Sequence, residues 1–377
     1  MYKKLMLTIG AMSLMAASPM QAALAKEFKI GIVAATTGAT SFVGLPVANA
    51  VLLAIDEINK SGLLGGDTLK GEVQDTGSNK AQAITLFNRF ALNSDALMIF
   101  GPTNSAESLS TAPLSKELKI VQYPVTIFAD VAKASEYSFI GGMPSANLAH
   151  DLAEFGAKKL GVKKCAMVYG RDNDAYPAQA AGVRDVMKQN GVAIVAEDTI
   201  TSSDSDFLGI ATKIASQNID CLLLITQPDQ GANIVVQAKQ AGLSDDVKIL
   251  ACQAMAAPAW TDIGGDAVKG SYVTTEYDPS GINEEAHEFT KKYAARYGVQ
   301  PTNYSALAYD MMKLVANAIR NAGPDVTRQS FRDALAKEPP VKSIVGQGTY
   351  SLNADRIANF QSVILQVSDG KLKTIGK

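Results

Sequence analysis

The chain is poor in the side chains that carry out chemistry. Its 377 residues hold two histidines, three cysteines and one tryptophan. His150 and His287 sit far apart on predicted helices, without metal-ligand spacing, and read as surface or structural residues. Cys165, Cys221 and Cys252 match neither a zinc site nor a CxxC motif. They read as small buried hydrophobes in or beside strands. An oxidising compartment permits one disulfide among them, and the sequence does not select the pair. G-x-S-x-G, H-E-x-x-H, the Gly-Lys phosphate loop and G-x-G-x-x-G are all absent. Asp56-Glu57 point to different faces of one helix, a poor acid/base pair. Arg171-Asp172-Asn173-Asp174 reads as a solvated turn before a helix rather than a metal loop. These absences lead us to expect no metal, no cofactor and no enzyme. A large charge of either sign is also lacking. The formal net charge is −2, and −4 once Lys3 and Lys4 leave with the leader described next. Without a basic stripe, nucleic acid is not an expected partner.

What is present begins with an export signal. Lys3 and Lys4 precede an apolar run, Leu5–Ala17, that is too short to span a membrane stably. Ala23-Leu24-Ala25 fits the small-residue cleavage rule, which predicts a mature N-terminus at Lys26 and an exported product. Beyond it, 47% hydrophobic and 19% charged residues describe an ordinary folded core, and the length suits two domains. Strands alternate with helices from Phe28–Ala35 through Lys119–Pro124, after which the rhythm restarts at Asn147 and runs to Val247–Ala251. That alternation predicts an α/β fold with two similar lobes, each a parallel sheet covered by helices on both faces. Ser138–Pro144 and Ser271–Tyr277 read as crossings between lobes, and the chain returns near 360. The expected divisions are a signal peptide over 1–25, lobe one over 26–145 and 276–360, and lobe two over 146–275 and 361–377. Strand C-termini and helix N-termini converge on the cleft between such lobes, the default ligand site.

The most informative stretch is Ala96–Glu117, ALMIFGPTNSAESLSTAPLSKE. A buried strand, Ala96–Phe100, is closed by Gly101-Pro102, and a helix is predicted to start after Asn104-Ser105. Such a start leaves free N–H groups at Ser105 and Ala106, the positive end of the helix dipole, and the Ser105 hydroxyl at one point. This can hold a small anion. A purely structural role, with Asn104 and Ser105 capping their own helix, accounts for the same residues. Other strand exits carry Phe42, in a loop before a helix near Leu45–Ser61, and Val125-Thr126-Ile127. In lobe two they carry Tyr176, Gln227 and Gln253. Together these supply hydroxyls, amides and apolar area, which suits capture of a small, partly apolar molecule.

In this order and spacing, IVAATTGATSFVG, LAIDEINKSGLLGG, IFGPTNSAESLSTAP, DNDAYPAQAAGVRDVMKQNGV and DFLGIATKIASQNIDCLLLI resemble a known family. The chain is similar, from about Lys29 to Val367, to the periplasmic solute-binding proteins of branched-chain amino-acid ABC transporters. The resemblance implies the type I, Venus-flytrap form of the fold: lobes joined by a three-strand hinge, closing on ligand and delivering it to a membrane permease. It implies that Ser105 and backbone groups near Thr126 grip a ligand carboxylate, while Phe42 and Tyr176 line the side-chain and closure region. The partners it implies are a small carboxylate or amino acid and an ABC permease, with the protein a monomer. The chain departs from the family at three positions. Gln253 stands where an acidic residue takes the ligand ammonium, Gln227 where some members have tyrosine, and Asn104 where some have a cysteine of a pair. The first departure favours an aromatic or aliphatic acid, with a branched-chain amino acid, an amide or a sensor role as alternatives.

Overall fold

The computed structural model describes residues 25–173, 175–278, 281, 283–346 and 348–375. The expected leader lies outside them except for Ala25, as does Asp174 of the 171–174 turn. Lobe one opens with β1 (Glu27–Ala34), α1 (Ser41–Ser61), β2 (Thr68–Asp75), α2 (Lys80–Asn93), β3 (Ala96–Phe100), α3 (Ser105–Glu117), β4 (Val121–Tyr123) and the short α4 (Asp130–Ala134). The four strands form one parallel sheet in the order β2-β1-β3-β4. Every residue of β3, Ala-Leu-Met-Ile-Phe, is buried, as a continuous apolar run between two strands and two helical layers requires.

Helix α1 begins four residues before the expected Leu45, so Phe42 lies in its first turn rather than in a loop. Pro46 suits a helix start and pulled the expectation down the chain. Packing sets the earlier start. A Cβ on Gly44 would lie 2.1 Å from the Ala35 carbonyl oxygen, so only glycine lets this turn rest on the end of β1.

Lobe two contains α5 (Ser145–Glu154), extended by a π-helical turn to Leu160, then β5 (Lys164–Gly170), α6 (Ala175–Gln189), β6 (Ala193–Ile200), α7 (Leu208–Ala215), β7 (Cys221–Ile225), α8 (Pro228–Gln240), β8 (Lys248–Ala251), α9 (Pro258–Gly264) and β9 (Tyr272–Thr275). The chain then returns to lobe one for α10 (Glu284–Tyr297), α11 (Asn303–Asn321) and α12 (Arg328–Leu335). Helix α11 packs against α1, with Val47, Val51, Met311 and Val315 in one core. Three short strands follow as a small antiparallel sheet: β10 (Val341–Lys342), β11 (Thr349–Leu352) and β12 (Ala358–Asn359). The last hairpin, β13 (Val363–Ser368) and β14 (Lys371–Thr374), lies in lobe two and turns on Asp369-Gly370, both at positive φ.

The lobe-two sheet runs β14-β13-β9-β8-β7-β5-β6. It is parallel from β6 to β9 and antiparallel at β13 and β14. The all-parallel expectation therefore gives way to a mixed sheet, because the returning chain enters beside β9 from the opposite direction. The chain passes between lobes near 140–144, 276–278 and 358–362. There Ile140 bridges Ile357, and the Tyr350 hydroxyl donates to Gly141 O at 2.9 Å and meets the Tyr123 hydroxyl at 3.0 Å. All three cysteines are buried free thiols, with Cys165 and Cys221 in register on β5 and β7.

Candidate functional site

The β3–α3 turn is a product of close backbone approach. Gly101 has φ 103°, and a Cβ there would lie 2.1 Å from Val33 O. Thr103 then turns back, its Oγ1 accepting the Ala35 N–H at 3.0 Å, which ties the turn to the end of β1. Asn104 is the N-cap of α3: its Oδ1 accepts the N–H groups of Ala106 at 2.8 Å and Glu107 at 3.4 Å. The Ala106 N–H is thus satisfied within the cap, and Ala106 does not line the cleft. Ser105 is not the cap. Its Oγ lies 2.7 Å from Thr126 Oγ1, which also accepts the Phe128 N–H at 3.2 Å. Either hydroxyl of this pair can donate; when Thr126 donates to Ser105, the Ser105 O–H is left to donate into the cleft, at the end of a polarised chain.

Facing this turn across the cleft are Asn173, Ala175 and Tyr176 at the start of α6, and Gln253 just after β8. Thr40, Phe42 and Val43 at the start of α1, Val125 and Ile127 after β4, and Tyr304 at the start of α11 complete the wall. The free space enclosed is about 40 Å³, room for about three waters. A molecule of amino-acid size exceeds that space. Phe42 packs against both lobes' cores and meets Tyr304 edge-on at 6.0 Å between ring centroids. Burial pushes the Tyr176 and Tyr304 hydroxyls well above their usual range, so both are neutral donors.

Of the residues anticipated from sequence, Phe42, Ser105, Val125, Ile127, Tyr176 and Gln253 meet at this cavity. Thr126 stands behind Ser105 and orients it. Gln227 is buried at the start of α8, where its carbonyl accepts the Gly231 N–H at 2.9 Å, and is not part of the wall. Sequence reasoning missed Tyr304, Thr40, Thr103 and Asn173. A signal for Tyr304 existed: Thr302 and Ser305 form a reciprocal capping box that fixes a helix start around it.

No aspartate, glutamate, lysine, arginine or histidine is among the described residues of the wall. Gln253 Oε1 accepts from Gln179 Nε2 at 3.2 Å, so its amide N–H groups are not used in this bond. Glu107, two residues after Ser105 in α3, accepts from the Thr76 hydroxyl at 3.0 Å and is pushed up to about 7 by burial. Among the described residues no group of three or more His, Cys, Asp or Glu side chains is gathered to hold a metal.

Two α/β lobes around a cleft of hydroxyls and amides, with no nucleophile–base pair among the described residues of its wall, are the architecture of a bilobal ligand-binding protein. A model of the periplasmic binding protein family matches residues 27–371. The chain belongs to that family and is a substrate-binding protein rather than an enzyme. It is 22% identical over 332 residues to the Leu/Ile/Val-binding protein BraC3 of Rhizobium johnstonii, covering 87% of this chain and 89% of that one. Among solved structures, the leucine binding protein LivK from Thermotoga maritima superposes with a TM-score of 0.85 at 24% identity, covering 93% of this chain and 98% of that one. A solute binding protein from Rhodopseudomonas palustris BisB5, in complex with 3,4-dihydroxy benzoic acid, gives 0.84 at 21% identity, covering 93% and 96%. These likenesses establish the fold as the Venus-flytrap type.

Proposed function

We propose that this protein is exported to the periplasm and captures a small carboxylate without an α-ammonium group, an aromatic or aliphatic acid, for delivery to an ABC permease. The observation that carries this reading is that the described residues of the cleft wall include no charged side chain. A zwitterion closed into it would leave its ammonium without a carboxylate partner. A plain acid needs only donors, and donors are what the wall offers. The Ser105 hydroxyl and backbone groups at Val125, Thr126 and Ile127 hold the carboxylate near the positive end of α3. Phe42 and Tyr176 flank the apolar part, and the Gln253 amide meets its far end as a donor. In this reading the protein acts as a monomer that closes on its ligand, and the closed form is the one a permease recognises.

The second reading, leucine, isoleucine or valine as ligand, is favoured by the names of the relatives. Gln253 and backbone carbonyls would then hold the ammonium. A thermal-shift screen of benzoate, 3,4-dihydroxybenzoate, short aliphatic acids and the three amino acids decides between them, since ligand bound only to the folded state raises the melting temperature. Calorimetry then ranks affinities. A branched-chain amino acid binding more tightly than any plain acid overturns the proposal.

A further inference from the structure

Where the chain leaves lobe two, immediately after β9, Glu276 is fully buried between the crossings. Its Oε2 accepts from Asn303 Nδ2 at 3.1 Å, and its main-chain carbonyl accepts the Gly346 N–H at 2.7 Å. Asn303 opens α11 and is also buried, one residue before Tyr304 of the cleft wall. The second oxygens of this pair, Glu276 Oε1 and Asn303 Oδ1, are both buried and without a hydrogen-bond donor. Two orphaned acceptors in a carboxyl–carboxamide pair are the signature of a missing proton. A hydrogen on Oε1, donated to Oδ1, would satisfy both and complete a two-bond acid–amide ring.

We propose that Glu276 is a proton-binding site at the hinge: its carboxyl is protonated against Asn303 when the cleft is closed, and releases the proton when the lobes part and water reaches it. The balance is simple. The open carboxylate and one proton from solvent give the closed carboxylic acid, with no other bond made or broken. The coupling rests on the closing cleft of the preceding section; the protonation itself does not. No cation faces the group. Its neighbours are the Met143 N–H of the first crossing, Tyr304 of α11, Tyr350 of β11 and Cys252 after β8, all neutral. Asp278 is engaged by Thr374, and Asp310 by Ser343 and the Ile344 N–H. Burial accordingly holds Glu276 at about 7, against about 4.3 for a hydrated glutamate. Because the closed form binds the extra proton, closure and ligand affinity strengthen as pH falls through 7.

Two measurements on the purified protein test this. In a carbon-13 carboxyl titration of the protein saturated with the acid or amino acid that gives the largest thermal shift, and so held closed, two glutamates are expected near neutrality, Glu276 and Glu107, and one of them disappears in Glu276→Gln. Should that variant not fold, Glu107→Gln with Glu276 intact must retain one neutral titration. Glu276 titrating in the ordinary carboxylate range overturns the proposal. Calorimetry with benzoate and with L-leucine, at pH 7 in buffers of different ionisation enthalpy, reads the coupling. Uptake of about half a proton and affinity about tenfold tighter at pH 6 than at pH 8 are expected, both lost in Glu276→Gln. Binding with no uptake overturns the coupling. If neither probe binds, the remaining acids of the thermal-shift screen supply the closed form for both measurements, and failure of every acid overturns the ligand class proposed above.

Discussion

Replacing Ser105 by alanine separates a ligand-gripping hydroxyl from a helix cap. Asn104 makes both cap bonds of α3, and Ser105 makes none. After the substitution Thr126 Oγ1 keeps the Phe128 N–H, so no buried acceptor loses every partner. The stability cost of losing one neutral hydrogen bond is then about 1 kcal/mol or less. Binding should suffer more. A hydrogen bond to a charged carboxylate contributes about 1.5–3 kcal/mol, which is roughly a ten- to hundredfold loss of affinity. Asn104→Ala gives the opposite balance in stability, losing about 1 kcal/mol as a cap is removed. Urea denaturation of both variants measures the first quantity. Calorimetry with the acid giving the largest thermal shift measures the second. Unchanged affinity in Ser105→Ala together with a stability loss as large as that of Asn104→Ala would refute the assignment and leave Ser105 a purely structural residue.

Gln253→Glu should weaken binding of a plain acid, because it closes a second negative charge into a wall without a cation. The same change should create or raise affinity for leucine and valine, whose ammonium then has a partner; competition calorimetry reads both. Gly44→Ala forces the first turn of α1 off Ala35 O and carries Phe42 with it, so affinity should fall together with the melting temperature. Glu107 is held at about 7 in the folded state, above its value of about 4.3 when unfolded. Its contribution is therefore complete below about pH 4 and lost as pH rises through 7, of order 3 kcal/mol in all. Stability of Glu107→Gln should fall less than that of the wild type between pH 5 and pH 8, and parallel profiles would contradict the shift. N-terminal sequencing of the exported protein should begin at Lys26; recovery of the uncleaved chain from the cytoplasm would refute the leader.

The elements legible in sequence were those whose burial is local. The run at Ala96–Phe100 is apolar throughout and became a central strand with those bounds, and the strand expected over Asp220–Thr226 formed one residue shorter at each end, Cys221–Ile225. Asn104 and Gly101 announced a strand–turn–helix from chemistry within ten residues. The wall residue missed at greatest distance, Tyr304, lies about 200 residues beyond Ser105 and reaches the cleft only because the chain returns to lobe one. Nothing local marks that return as leading to the site. The antiparallel β13–β14 addition was hidden for the same reason: alternation shows a strand, and only the tertiary path shows its direction. Gln179 escaped notice because a glutamine on a helix reads as solvent-facing, whereas here it is fully buried against Gln253.

The placement of acids explains how a cleft of this family can serve a ligand without an ammonium group. A carboxylate in the wall would pair a zwitterion and repel a second carboxylate. This chain has Gln253 there and keeps its two nearby buried glutamates off the wall, Glu107 behind the α3 cap and Glu276 at the hinge. Each accepts a hydrogen bond, from Thr76 and Asn303 respectively, and each is raised toward neutrality by burial. When they are protonated, the field at Ser105 is that of a helix N-terminus and a row of hydroxyls, which favours an anion. When they are ionised, both oppose it. On the proposed reading, selectivity for an acid and sensitivity to pH would arise from the same use of amides in place of charge around one cleft.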